Sequence, residues 1–199
     1  MSEKPYYEEQ EFQTTRETRR ERRRATTKRG GGVVEFLVIL LISFALVFGF
    51  VRPFVVEAFY IPSESMIPTL RVGDRVLVNK FIYRFTEPER GDILVFESVE
   101  GGREDLIKRV VAVPGDTIAV RRGKVVLNGE RQREPYVNKK FPDRSFSPPT
   151  TIPKGHVFVM GDNRANSRDS RFFGPVPKEK IEGEAFLRFW PPDRIGGLL

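Results

Sequence analysis

The chain has no cysteine and a single histidine, His156. Without cysteine there are no disulfides, no zinc–thiolate sites and no thiol nucleophile, although this leaves open which side of a membrane the protein occupies. One histidine rules out a His-rich metal site, so no metal and no cofactor is expected, and any Ser–His pairing would have to use that one ring. His156 heads the apolar run His-Val-Phe-Val-Met and reads as an ordinary strand-end residue rather than a base. Internal repeats are also absent, and no convincing helical pattern follows residue 51, apart from a turn around Pro177 to Ile181.

The 199 residues leave room for one modest domain once the ends are set aside. Apolar residues make up 39% of the chain, enough for a core, and Phe 17, Pro 15 and Gly 17 favour short strands and many turns over a helix bundle. The net charge of +7 invites a nucleic-acid reading. Much of it is local, however: Arg16 to Arg29 holds eight Lys/Arg against two Glu, directly before a long apolar run. A basic block in that position reads as a cytoplasmic anchor flank, and no nucleic-acid partner is expected.

Residues 1–32 are charged, poor in aliphatic side chains and end in three glycines, the composition of a disordered tail. The run VVEFLVILLISFALVFGFV, Val33 to Val51, carries one charge, Glu35, near its start. As a helix it would span roughly 28 Å at ~1.5 Å per residue, close to the ~30 Å hydrocarbon core of a bilayer. A cleaved leader would be shorter and end in small residues, whereas this run ends in Phe50-Val51-Arg52-Pro53-Phe54. Residues 33–52 are therefore expected to be a retained single-pass anchor in the lipid bilayer of the cell membrane. The twenty residues after the run hold only Arg52 and Arg71 as bases, which places the N-terminus in the cytoplasm and residues 53–199 outside it.

Beyond the anchor, Arg75 to Tyr83, Asp92 to Phe96, Leu106 to Val113, Thr117 to Arg122, Lys124 to Leu127, His156 to Met160 and Ala185 to Trp190 are strand-length and rich in Val, Ile and Phe. Turn signals such as Gly73-Asp74, Arg90-Gly91-Asp92 and Pro114-Gly115-Asp116 separate them. The expected fold is mostly β, an antiparallel sandwich or partly closed barrel, with residues 129–155 as a loop or short cap.

Three stretches could carry chemistry. Ile61 to Leu70 sets two hydroxyls, Ser63 and Ser65, between Pro62 and Pro68, so a serine is presented on a stiff, non-helical backbone. Taken alone, the same stretch reads equally well as a linker leaving a membrane. In Leu106 to Val113, strict alternation puts Lys108 on the face of Leu106, Val110 and Ala112, with Arg109 opposite. A lysine on an apolar face usually snorkels to water, but if buried it loses its charge more readily and becomes a general base near neutral pH. Met160 to Arg171 packs hydroxyls, turn formers and mixed charges behind a strand. Its Asp/Asn content allows a cation-binding loop, but three arginines offset the acids and a polar network fits better.

Together, Pro-Ser-Glu-Ser-Met-Ile-Pro-Thr-Leu (62–70), Gly-Asp-Arg-Val-Leu-Val-Asn-Lys (73–80), Arg-Gly-Asp-Ile (90–93), Lys-Arg-Val-Val-Ala-Val-Pro-Gly-Asp (108–116) and Gly-Asp-Asn-Arg-Ala-Asn-Ser-Arg-Asp-Ser-Arg (161–171) resemble the bacterial type I signal peptidases, from the anchor to about Trp190. These are membrane-bound serine endopeptidases that remove signal peptides after small residues. The resemblance implies Ser65 as nucleophile and Lys108 as general base. It further implies that Ser63 and the Ser65 N–H form an oxyanion hole, that Ser167 orients the lysine, and that Asp162, Asp169 and Arg171 support the site. Phe59, Ile61, Met66, Leu70, Leu106 and Ile107 would line the substrate pockets. Preproteins bearing signal peptides are the implied partners, met near the protein translocase. Two other readings compete: a Ser–Lys self-cleaving repressor, which would be soluble and carry a helix-turn-helix, and a non-enzymatic membrane-tethered β module.

Overall fold

The computed structural model describes residues 32–51, 55–102, 104–140 and 142–198. The expected basic tail therefore lies almost wholly outside the described residues. The chain divides into two units, 1–51 and 52–199. In the first, helix α1 (Gly32–Gly49) is long and apolar enough to cross a membrane. Its apolar side chains are exposed, Val33 to Leu46 at 47% or more, and the helix closes in a wider π-type turn over Val47–Val51.

The second unit is built on two antiparallel sheets. Strands β1 (Val56–Tyr60), β2 (Arg75–Asn79), β3 (Ile93–Glu97), β4 (Asp105–Ala112), β9 (His156–Met160), β10 (Val176–Pro177), β11 (Ile181–Trp190) and β12 (Gly196–Gly197) form the larger one. Its order is β1-β2-β11-β3-β4-β9-β10, with β12 paired to β11. Strands β5 (Thr117–Arg121), β6 (Lys124–Leu127), β7 (Glu130–Arg131) and β8 (Ser147–Thr151) form the smaller sheet, in the order β7-β6-β5-β8.

Alternation on β3 explains how the large sheet is covered on both faces. Ile93 and Val95 join a cluster with Ile61, Met66, Leu70, Val76, Val78 and Ile107. Leu94 and Phe96, pointing the other way, pack with Val110, Val157, Val159 and Val176. A third cluster, including Val111, Ala112, Ile118, Val120, Phe158 and Met160, joins residues of β4 and β9 to residues of β5. Three turns repeat one local device. In Arg71–Asp74, Glu89–Asp92 and Val113–Asp116 the aspartate carboxylate accepts the N–H three residues back, at 2.8, 2.8 and 2.9 Å.

The structure revises several boundaries. The strand expected to reach Tyr83 stops at Asn79, whose Oδ1 accepts the N–H groups of Phe81 and Ile82 at 3.0 and 3.2 Å and opens a 3₁₀ turn over Ile82–Arg84. The 117–122 strand ends at Arg121 because Arg122 turns to φ 49°. Residues 129–155, expected as loop or cap, contribute β7 and β8 to the smaller sheet. Pro148 and Pro149 hid β8, but it is an edge strand, where a missing N–H is tolerated. β11 begins four residues before the expected Ala185. Gly183 is required there, because a Cβ would lie 2.4 Å from the Asn79 carbonyl oxygen of β2. A single turn of helix, α2 (Ser170–Phe173), also went unforeseen; the Asp169 side chain caps it by accepting the Arg171 N–H.

Candidate active site

The turn carrying Ser65 is locked at both ends. Ile61 exchanges backbone hydrogen bonds with the far side of the next turn, its N–H donating to Asp74 O and its carbonyl accepting from Gly73, at 2.9 and 3.0 Å. Within the turn, the Ile67 and Leu70 N–H groups donate to Glu64 and Met66 carbonyls at 3.2 and 2.9 Å. Met66 and Leu70 are fully buried and hold the turn against the core, while Ser63 and Glu64 stay exposed. A serine between prolines thus sits on backbone that has little room to move.

Lys108 lies mid-strand on β4, opposite Leu94, and is 3% exposed. Its Nζ is 2.8 Å from Ser65 Oγ and donates to the Ile107 carbonyl at 2.9 Å. Burial lowers the lysine pKa to about 8, against the opposing pull of the Asp169 and Asp162 charges. A neutral amine in this position keeps a lone pair for the serine proton while one N–H satisfies the carbonyl. Ser63 Oγ stands 3.3 Å from Ser65 Oγ.

Alternation correctly grouped Lys108 with Leu106 and Val110, but an irregularity between Val110 and Ala112 breaks it. Val111 and Ala112 then both face the inter-sheet cluster, so Ala112 does not share the lysine's face. Arg109, on the opposite face, is also buried. It grips Asp162 through Nε and Nη2 at 3.0 and 2.8 Å and reaches the Gly91 carbonyl at 2.7 Å. Thr69, on the serine turn, donates to the same Asp162 carboxylate.

The expected contact between Ser167 and the lysine is not made among the described residues. Ser167 Oγ donates instead to the buried carboxylate of Asp169, at Oδ2, 2.7 Å away. The same carboxylate accepts the Gly161 N–H at 3.0 Å and pairs with Arg171 Nε and Nη2, both at 2.8 Å. Arg171 continues to Asp143 at 2.7 Å and to the Arg164 carbonyl at 2.8 Å. Arg164 in turn pairs with Glu134. Gly161 must be glycine, since a Cβ there would lie 2.3 Å from Ser167 Oγ and 2.5 Å from the Ser65 carbonyl oxygen.

Sequence reasoning missed Arg109, Thr69, Glu134 and Asp143 as parts of this arrangement. A charged residue inside an apolar strand was the available signal for Arg109. Glu134 and Asp143 lie in a stretch without periodicity and gave none. Of the expected pocket residues, Ile61, Met66, Leu70 and Ile107 share one cluster with Phe59 packed against it, whereas Leu106 packs with the cluster on the other face.

A serine hydroxyl in contact with a buried amine, on an antiparallel β scaffold, defines a serine-type hydrolase site. The family described as signal peptidase, peptidase S26, matches residues 33–190, and the chain belongs to it. It is 46% identical over 155 residues to a signal peptidase I of Leptolyngbya laminosa, covering 74% of this chain and 75% of that one. To a probable signal peptidase I-2 of Synechocystis it is 43% identical over 151 residues, 73% and 68% of the two chains. A crystal structure of a signal peptidase I from Enterococcus faecalis matches 50% of this chain and 97% of that one, at 32% identity and a TM-score of 0.41.

Proposed function

We propose that this signal peptidase removes signal peptides from exported preproteins with Ser65 as nucleophile and Lys108 as general base. The observation that carries the reading is the 2.8 Å contact between Ser65 Oγ and a 3% exposed amine. The Lys108 lone pair takes the hydroxyl proton as Ser65 Oγ bonds to the scissile carbonyl carbon. The carbonyl π electrons move to oxygen, and the Ser65 N–H and Ser63 O–H receive the resulting charge. Collapse breaks the C–N bond, the leaving amine takes the proton from Lys108, and an acyl-enzyme remains. Lys108 then deprotonates water for attack on the ester, and collapse returns the proton to Ser65 and frees the signal peptide.

β1, which leads to Ser65, pairs only with β2 among the described residues and so offers an open sheet edge. The substrate's extended stretch adds to that edge through main-chain hydrogen bonds. Ile61, Met66, Leu70 and Ile107 are buried in one cluster against which Phe59 packs, and this cluster forms the apolar floor for small side chains at the cleavage site. Leu106 belongs to other packing and is left out of this wall. Helix α1 anchors the chain in the cell membrane, near the translocase. The Arg-rich block before it keeps the N-terminus cytoplasmic and the peptidase unit outside, so that substrate and enzyme meet without a three-dimensional search.

The test is cleavage of a model preprotein by the full chain in detergent, followed against pH. Below about 8, kcat/KM should fall roughly tenfold per pH unit as Lys108 becomes an ammonium, and it should level above that value. A flat profile through this range would remove Lys108 as the base. In the same assay, Ser63→Ala should lower kcat about 10²–10³-fold, the cost of one oxyanion donor. An unchanged kcat would assign Ser63 to structure.

A further inference from the structure

Asn163 makes two contacts with the nucleophile's backbone that the mechanism above does not use. It is 2% exposed, and its Nδ2 donates to the Glu64 carbonyl oxygen at 3.1 Å while its backbone N–H donates to the Ser65 carbonyl oxygen at 3.0 Å. The Glu64 carbonyl and the Ser65 N–H belong to one peptide unit. That unit is planar and trans, so the two bonds point in opposite directions. Fixing the carbonyl therefore fixes the line along which the N–H points. Among the described residues the Ser65 N–H donates to nothing, although Glu64 O, at the other end of the same unit, accepts two hydrogen bonds, from Asn163 and from the Ile67 N–H.

The carboxamide is itself held. Asn138 Nδ2 donates to Asn163 Oδ1 at 3.4 Å, and the Asn138 N–H donates to the Asp162 carbonyl at 2.9 Å. The assignment of O and N in the amide is consistent with both neighbours. Glu64 O can only accept, so it needs the NH₂ end, and Asn138 offers a donor to the other end.

We infer that Asn163 is a positioning residue: through Glu64 it aims the Ser65 amide as the oxyanion donor, and Asn138 steadies it from behind. This rests on Ser65 being the nucleophile. Loss of the side-chain clamp leaves Glu64 O with the Ile67 N–H alone, at 3.2 Å, so the Glu64–Ser65 peptide can tilt within an otherwise fixed turn. An oxyanion donor acts on charge that appears only in the transition state, so the damage belongs in kcat rather than in KM.

The experiment compares wild type, Asn163→Ala, Asn163→Asp and Asn138→Ala as full chains in detergent, on a model preprotein. Asn163→Asp keeps the volume of the side chain but places an acceptor against an acceptor. Both Asn163 variants should lose about 10- to 100-fold in kcat with KM within about twofold, less than the loss of a whole donor. Asn138→Ala should show the same split in milder form. In Asn163→Ala and Asn138→Ala the pH midpoint near 8 should stay in place, because Lys108 is untouched, whereas the added carboxylate of Asn163→Asp joins the Asp162 and Asp169 charges in raising it. A peptide aldehyde that forms a tetrahedral adduct on serine should lose affinity in parallel with kcat. Wild-type kcat in Asn163→Asp overturns the inference, as does a loss carried by KM or a pH midpoint displaced in Asn163→Ala or Asn138→Ala. If Asn163→Ala does not fold, the isosteric variant and Asn138→Ala decide the matter alone. Failure of wild type to cleave the preprotein would instead count against the proposed function itself.

Discussion

Lys108→Met is expected to abolish cleavage and at the same time make the folded protein more stable. The activity loss should reach at least about 10⁴-fold, matching Ser65→Ala, because the two groups act as a unit and either alone is useless. The stability gain follows from the burial that tunes the amine. Its pKa falls from 10.5 to about 8 on folding, so the native state binds the proton less tightly than the unfolded chain does. Stability therefore rises as the pH climbs from about 8 towards 10.5, and below about 8 the folded protein carries the full penalty. At roughly 1.36 kcal/mol per unit this amounts to about 3 kcal/mol, which an apolar side chain of similar length would not incur. The methionine variant should melt at a higher temperature than wild type at pH 6, and the difference should shrink above pH 9. Wild-type cleavage in this variant would end the Ser–Lys proposal. Lost cleavage with a lowered melting temperature would recast Lys108 as a structural cation.

This coupling of function to strain bears on what could be read from the chain alone. Lys108 stood out because an ionisable residue among Leu106, Ile107, Val110 and Val111 breaks the pattern of its own strand, although the pattern alone did not separate a buried amine from one that snorkels to water. Ser63 and Ser65 were legible because two prolines exclude a helix around them. The three Gly-Asp turns were visible as punctuation, although nothing showed that each aspartate closes its turn through its carboxylate. What stayed hidden depends on long-range pairing. The strand Ser147–Thr151 has two prolines and becomes a strand only because it lies at a sheet edge beside β5. The break at Val110/Ala112 cannot be read from alternation, since a one-residue irregularity is invisible until the partner strand is known. Glu134 and Asp143 are thirty and twenty-eight positions from the arginines they pair with, in a stretch without pattern.

Those same pairings carry the other large expected effect. Arg171, with its side chain 3% exposed, bridges Asp169, which is fully buried, and Asp143. Its planar fork also donates to Ser145 Oγ and to the Arg164 and Ser167 carbonyls, a set that a single ammonium cannot span. Arg171→Met leaves two carboxylates sheltered from water without their cation, a change that costs about 3–5 kcal/mol, whereas the pair itself contributes far less. Against a typical total of about 5–15 kcal/mol this should lower the thermal midpoint by on the order of 10 °C, and Arg171→Lys should recover only part of it. The double variant Arg171→Met with Asp143→Asn should regain stability over Arg171→Met alone, since one of the two stranded charges is gone. Cleavage should fall as well, because Asp169 receives Ser167 and Gly161, and Gly161 abuts the Ser65 carbonyl. Melting curves of the full chain in detergent measure the first effect and the preprotein assay the second. If Arg171→Met melts within about 2 °C of wild type, the buried network contributes little to stability. The 129–155 segment would then have no hold on the nucleophile through Asp143.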